Sequence, residues 1–254
     1  MPGLNTIVKT AFLLVFLHIN KKGISQYYSP DSSSDNPGMQ NAIATYHRYL
    51  SPENALYNGS EYAYNQYYPF KISEGHPFFL TRLFTDGSVR YDGIEYQVPL
   101  LFDVVKEEVL IHDPSKRYYV KLNTERVESF TLQGYTFVHL RPDTTNMANI
   151  REGFYALLYN GPVSLYESFV KTFKTDNSVM GEGASSVVEK DYFFIRKNNQ
   201  YFRVRNKKTL LAVLSDRKKD IQRFIRANKL NVKKNKEYAF IKIIGFYNGI
   251  NQHT

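Results

Sequence analysis

The sequence contains no cysteine and no tryptophan, and the missing cysteine removes several classes of protein at once. A chain without cysteine has no disulfide framework, no cysteine nucleophile and no N-terminal cysteine that could carry a lipid. Its stability must therefore come from the packed core alone.

The motifs of the common catalytic classes are missing as well. The sequence has no H-E-x-x-H zinc motif and no G-x-S-x-G nucleophile motif. The Gly- and Ser-rich run at 181–186 lacks the Gly-Lys-Ser/Thr of a phosphate-binding loop, which favours a flexible connector between a long strand and the last hairpin. We expect no metal site and no cofactor, and the sequence assigns no catalytic residue.

A dispersed catalytic site stays open as an alternative, because folding can unite residues that are distant in sequence. The residues that could form such a site in a hydrolase of polysaccharide or peptide are His76, Asp103, His112 and Asp113. An isolated histidine in a β-rich chain is more often a surface or structural residue than a base.

The 254 residues have the composition of a globular protein, with 43% hydrophobic and 22% charged residues. The 21 tyrosines and 18 phenylalanines favour β-structure, because large aromatic side chains suit a pleated, half-buried surface.

Residues 1–25 have the pattern of a signal peptide. Lys9 precedes an apolar run at 11–17 that is too short to span a bilayer, and Gly23 and Ser25 fit a cleavage between Ser25 and Gln26. The alternative is a buried N-terminal strand or helix. With cleavage, no transmembrane segment remains, and we expect an exported protein of the periplasm, the outer membrane or the extracellular medium.

The residues after the signal peptide divide into a flexible leader, a β-rich body and a helical tail. Residues 26–38 are rich in Ser, Asp, Pro and Asn, which is typical of a leader without a core of its own. The body spans 39–205, with a short helix predicted at 39–50 and an irregular segment at 51–75. Short alternating runs follow from Pro77, with tight turns expected at Asp86-Gly87, Asp92-Gly93 and Asn198-Asn199.

These runs predict about nine or ten strands in a mainly antiparallel sheet, arranged as a meander, a rolled sheet or a sandwich. Apolar residues with helical spacing appear only at 206–250, which predicts a basic helical tail of two or three α-helices packed on the body. The third of these, near Phe240, could also be a strand. The predicted fold class is therefore α+β.

Tyrosines crowd the segment before the body's main strands. Two interpretations stay open: a stacking surface for sugars or peptides, or a cover for one end of the sheet. The residues concerned are Tyr57, Tyr62, Tyr64, Tyr67 and Tyr68.

Positive charge is concentrated in the tail. Residues 205–242 contain 13 Lys and Arg against three acids, whereas the net charge of the whole chain is +9. Such a face attracts an anionic envelope surface or an acidic protein partner. Nucleic acid is a weaker candidate, because it requires that the chain is not exported, and a merely solvated face is the other alternative. The residues predicted to form this surface are Lys218, Lys219, Arg223, Arg226 and Lys229.

Four stretches within residues 55–230 resemble secreted β-rich proteins of Bacteroidota-type Gram-negative bacteria, a group without an assigned activity. They are Gly75-His76-Pro77-Phe78-Phe79, Tyr91 to Tyr96, Val98 to Asp103 and Asp216 to Arg226. The resemblance implies export and assigns no site. We expect a non-catalytic envelope or secreted protein that binds through its cationic tail, with a secreted hydrolase and a structural accessory subunit as alternatives.

Overall fold

The computed structural model describes residues 56–113, 118–141, 150–176 and 184–251. The predicted signal peptide, the leader and the helix at 39–50 lie outside these ranges.

The described chain is α+β, with one large sheet followed by helices, as the sequence predicts. The strands are β1 (Ser60–Glu61), β2 (Ile72–Glu74), β3 (Thr85–Tyr91), β4 (Ile94–Asp103), β5 (Glu108–His112), β6 (Tyr119–Lys121), β7 (Val127–Leu132), β8 (Tyr135–Leu140), β9 (Gly153–Tyr159), β10 (Ser164–Asp176), β11 (Ala184–Lys197) and β12 (Gln200–Val204). The helices are α1 (Tyr64–Tyr67), α2 (Lys207–Val213), α3 (Lys218–Ala227) and α4 (Lys236–Asn251).

The strand count of twelve exceeds the nine or ten expected. The two additional strands, β1 and β2, have two and three residues, which is too short for alternation to be visible in the sequence. Both lie in the segment that the sequence indicated to be irregular. They form because neighbouring strands offer free backbone edges: β1 pairs with β6 and β2 with β11.

The sheet has the order β1-β6-β5-β4-β3-β7-β8-β9-β10-β11-β12, with β2 also paired to β11. Every pairing in this path is antiparallel, and β2 runs parallel to β11. After β6 the chain crosses to the free side of β3, and from β7 onward each strand pairs with the next one in sequence. Because most strands pair with the strand that follows them in sequence, short turns are enough to connect them.

Turn chemistry explains two of the three predicted turns. Asp92 and Gly93 have φ of 50° and 76°, and Asn198 and Asn199 have φ of 52° and 58°, as two-residue hairpins require. The prediction of a turn at Asp86-Gly87 is wrong, because both residues lie within β3. A Cβ atom at Gly87 would come within 2.2 Å of the Thr131 carbonyl oxygen, so close strand approach explains this glycine.

The sheet curls around an aromatic core. Phe102 on β4 and Phe154 on β9 are four strand positions apart, roughly 19 Å in a flat sheet. Their ring centroids are only 5.8 Å apart, so the strands between them must bend around the core. Phe130 and Phe137 stack in the same core at 4.7 Å.

The three C-terminal helices cover a second core on β10 to β12. Leu165 and Ile195 are cross-strand partners in the sheet and are both buried beneath the helices. Phe240, fully buried on α4, meets the ring of Phe193 edge-on at 5.3 Å. The last segment of the tail is therefore a helix, which decides between the two interpretations left open by the sequence.

Candidate functional site

Helix α3 presents one cationic face to solvent. Lys219, Arg223 and Arg226 follow one another at spacings of four and three residues, so they share one side of the helix, and all three are exposed. Ile221 and Ile225 on the opposite side are buried against the second core. Lys218 is exposed as well, so the structure leaves four of the five predicted binding residues accessible on α3.

A concave, positively charged surface lies beside this helix; we call it the cationic groove. It has a volume of about 720 Å³ and lies between the start of α2, the end of α3 and the loop before α4. Its described lining contains six cations and no carboxylate. These cations are Arg205, Lys207, Lys208, Lys229, Lys233 and Lys236.

Local structure fixes the positions of these lysines. Asn206 caps α2 by accepting the Thr209 amide at 3.0 Å, and Thr209 Oγ1 accepts the Asn206 amide in return at 3.1 Å. This capping box places Lys207 and Lys208 in the first turn of α2.

The loop before α4 is shaped by Asn231, whose Oδ1 accepts the amides of Lys233 at 3.1 Å and Lys234 at 3.0 Å. Such an Asx turn fixes the backbone locally. Lys229 has a φ of 51°, in the left-handed region that commonly ends a helix, and the Leu230 amide donates to the Ile225 carbonyl at 3.0 Å. The groove therefore has a defined backbone on all three sides.

The acids of the tail do little to neutralise the groove. Asp216 accepts from Lys197 at 2.7 Å and from the Tyr247 hydroxyl at 2.8 Å, and Glu237 accepts from the Tyr135 hydroxyl at 3.3 Å. The Lys197 ammonium and the Tyr247 hydroxyl hold the pKa of Asp216 below its ordinary value, against the opposing effect of its burial. Within the described ranges, the six groove cations form no ion pair.

The distribution of lysines works against helix stability. Lys218 and Lys219 lie in the first turn of α3 and Lys236 opens α4. A cation near a helix N-terminus opposes the macrodipole and costs about 0.3 to 1 kcal/mol. Residues that break a local folding rule are often retained for function, so this placement supports a binding role for the surface.

The structure divides the predicted binding residues between two places. Lys229 lines the cationic groove, whereas Arg223 lines a smaller cavity of about 390 Å³ beside Phe224 and Phe246. The sequence prediction missed the other five groove cations. They lie in the same basic stretch of sequence. Only the fold shows that cations from before α3 and cations from after it line one groove.

Asp103, a candidate of the hydrolase alternative, has a structural role. It is fully buried, and its Oδ2 accepts the hydroxyls of Tyr62 at 2.5 Å and Tyr68 at 2.6 Å. Its Oδ1 accepts the amides of Val105 at 2.9 Å and Lys106 at 3.1 Å. Four hydrogen bonds occupy the carboxylate, which leaves it poorly placed to activate a substrate.

The remaining hydrolase candidates lie in different surroundings. His76 is half-buried beside Phe78, and burial, followed by the charges of Lys171 and Arg82, lowers its pKa. His112 is exposed at the end of β5 and lines a cavity of about 610 Å³ with Tyr64 and Tyr119. Asp113, the next residue, is buried. In the described residues, no hydrogen bond or ion pair links His76 with Asp103 or His112.

The tyrosine cluster mostly covers the sheet. Tyr62 and Tyr68 are buried, and Tyr64 stacks on Phe78 with ring centroids 6.0 Å apart. The hydroxyls of Tyr62 and Tyr68 both donate to Asp103. Burial raises the pKa of both phenols, and the neighbouring Asp103 carboxylate raises it further. These contacts favour the structural interpretation over a stacking surface for sugars.

One buried carboxyl group has no such partner. Glu167 on β10 is only 2% exposed, and its Oε2 accepts no hydrogen bond from the described residues. Burial, followed by the charges of Glu237 and Asp191, raises the pKa of Glu167 to about 8, while Lys236 acts in the opposite direction.

Two further observations describe the molecule as a whole. In the part of the chain that the structure describes, no group of three or more His, Asp or Glu residues is arranged to hold a metal ion. None of the helices in the described ranges combines the length and apolar character needed to cross a membrane.

Comparison with known proteins yields no match among family models, curated proteins or solved structures.

Proposed function

We propose that this protein is a non-catalytic, exported binding protein that attaches to an anionic surface of the cell envelope through its C-terminal helices. The observation that carries the proposal is the cationic groove, in which six cations converge without a carboxylate in the described lining. The four exposed cations of α3 precede Lys229, which lines the groove, and they add to the positive charge of this part of the chain.

The physical basis is electrostatic attraction at short range. Each lysine or arginine near an anionic membrane contributes about 1 kcal/mol, and the attraction decays over a Debye length of about 10 Å at 0.1 M salt. Several cations on one surface are therefore needed, and they must approach the surface together. The cationic groove gathers six cations, and α3 exposes four more.

The proposed location depends on the N-terminal sequence. Mass determination of the protein from fractionated native cells should give a chain beginning at Gln26 in an envelope fraction, released by a salt wash. Full-length protein in the cytosol would contradict export and would make nucleic acid a serious candidate for the partner.

The surface can be tested with two variants that each remove four positive charges. The groove variant replaces Lys207, Lys208, Lys229 and Lys233 with Gln, and the helix variant replaces Lys218, Lys219, Arg223 and Arg226 with Gln. Binding to vesicles containing phosphatidylglycerol should weaken about tenfold or more in both, because the loss exceeds about 1.4 kcal/mol. The dependence of binding on salt should become shallower as well.

A third variant controls for net charge alone. It replaces four exposed cations of the β-rich body, Lys71, Lys106, Lys174 and Arg196, with Gln. This variant should bind the vesicles as the unmodified protein does. Equal losses in all three variants would mean that only net charge matters, and unchanged binding in the groove and helix variants would overturn the proposal.

A further inference from the structure

A second large cavity lies mainly on the sheet face opposite the one that the helices cover, and α2 borders it through Thr209 and Val213; we call it the sheet cavity. On β10 and β11, Leu165 and Ile195 point toward the helices, so their neighbours point the other way. Ser168 and Tyr192 are cross-strand partners on this second face, and both line the sheet cavity. Its volume of about 870 Å³ is within the range of sites for small organic ligands.

Most of the described lining of the sheet cavity is apolar. Tyr155 and Phe194, both buried, meet edge-on at 5.6 Å, and half-buried Val170 lies on the same strand face as Ser168. Val213 of α2 adds an aliphatic side chain. Such a lining favours the apolar part of a ligand by removing it from water.

Three arginines line the sheet cavity, and two of them, Arg203 and Arg205, form no ion pair within the described ranges. The Arg203 guanidinium lies 4.1 Å from the centroid of the Tyr192 ring, which orients it. Arg151, in contrast, is paired with Glu107. No Asp or Glu is among the described lining residues.

A polar group also faces this apolar surface. Ser168 is only 6% exposed, and it lines the sheet cavity. A serine hydroxyl both donates and accepts hydrogen bonds, so Ser168 can bind a ligand oxygen in the cavity.

We propose that the sheet cavity binds a single-chain organic anion of the fatty-acid type, as a free molecule. The carboxylate pairs with the guanidinium of Arg203, whose planar fork matches a carboxylate, and the hydrocarbon chain lies against Phe194 and Val170. The sheet cavity and the cationic groove share Arg205, but of these two sites Arg203 lines only the sheet cavity, so the proposal does not rest on the proposed function.

Calorimetric titration with three soluble probes tests this inference on the full chain. Octanoate carries both the charge and the chain, 1-octanol only the chain, and acetate only the charge. Octanoate should bind most tightly. Arg203→Gln should weaken octanoate about tenfold or more, and Arg203→Lys should retain part of the affinity because the charge remains.

Two further variants separate binding from folding. Val170→Glu places a carboxylate in the cavity at a position that is already partly exposed, and it should abolish octanoate binding while circular dichroism stays unchanged. Arg196→Gln removes an exposed arginine from the same strand pair outside the cavity lining and should leave the affinity unchanged.

Three results would overturn the proposal: no octanoate binding, equal affinity for octanoate and 1-octanol, or full affinity in Arg203→Gln. Displacement of octanoate by phosphatidylglycerol vesicles would also overturn it in favour of a bilayer lipid. Arg203→Gln should bind those vesicles normally, so failure of this inference is distinguishable from failure of envelope attachment.

Discussion

At Glu167 the fold places a carboxyl group where its charged form is disfavoured. The side chain is buried on the face of β10 that the helices cover. Its charged neighbours are Asp191 from β11 and Glu237 and Lys236 from α4. Two of these neighbours are acids, so they add to the effect of burial instead of relieving it. Below about pH 8 the group therefore remains largely protonated in the folded protein.

This raised pKa predicts how stability depends on pH. Below about pH 4.5 the carboxyl group is protonated in both the folded and the unfolded chain, so it contributes no pH dependence. Between about pH 4.5 and 8 the unfolded chain releases the proton that the folded protein retains, so the free energy of unfolding falls as the pH rises. Each unit of pKa difference corresponds to about 1.4 kcal/mol.

Glu167→Gln should remove this dependence and stabilise the protein by roughly 3 kcal/mol or more at pH 8.5, with little effect at pH 4.5. Urea unfolding at the two pH values measures the difference. Exposed Glu95→Gln is the control, and it should follow the unmodified protein. If Glu167→Gln lost stability with rising pH as steeply as the unmodified protein, Glu167 would not be the titrating group.

At the scale of elements, α4 joins the helical tail to the sheet through one side chain. Buried Asn248 accepts the Val163 amide at 3.0 Å and donates to the Val163 carbonyl at 2.8 Å. Val163 immediately precedes β10, so a single asparagine fixes the helix against the turn between β9 and β10. Both bonds are shielded from water, which makes their loss costly.

Asn248→Ala should lower the free energy of unfolding by about 2 to 4 kcal/mol, because it leaves the amide and the carbonyl of Val163 without partners in a buried place. Thermal unfolding followed by circular dichroism would show the change as a lower midpoint temperature. Exposed Asn65→Ala provides the comparison and should leave the midpoint in place. A variant as stable as the unmodified protein would show that water replaces the asparagine.

At the scale of the whole described chain, the two largest hydrophobic cores share one sheet. Leu165 on β10 belongs to the core under the helices, whereas Phe169 on the same strand packs against the aromatic core of the curled sheet. Leu158 on β9 contacts both cores. Because continuous strands pass from one core to the other, neither can loosen without disturbing the other.

We therefore expect one cooperative unfolding transition, including in a variant that damages only one core. Phe137→Ala should lower stability by about 3 to 5 kcal/mol, since it leaves a cavity among Phe79, Phe102 and Phe130. The helical signal and the near-ultraviolet tyrosine signal should shift together. If the helices of Phe137→Ala melted at the temperature of the unmodified protein, the two cores would be independent. Ile94→Ala, at an exposed position, is the control and should shift neither signal.

Much of the secondary structure could be predicted from short stretches of sequence. Alternating residues in β4 and apolar spacing in α3 report local periodicity, and Asp92-Gly93 and Asn198-Asn199 supply the positive φ of tight hairpins within two residues. The same logic failed at Gly87, where the glycine serves a contact with a distant strand. Local chemistry cannot distinguish these two uses of a glycine.

The sequence by itself determined the α+β class, the mainly antiparallel sheet and the concentration of positive charge near the C-terminus. Only the tertiary structure decided which cations lie together, because the convergence of Arg205, Lys229 and Lys236 depends on how three helix ends pack. It also decided that Asp103 is held by tyrosines and that Arg203 lies beside an apolar cavity with no ion pair among the residues that the structure describes. Charge can be counted along a chain, but neutralisation depends on distances in space, which only folding sets.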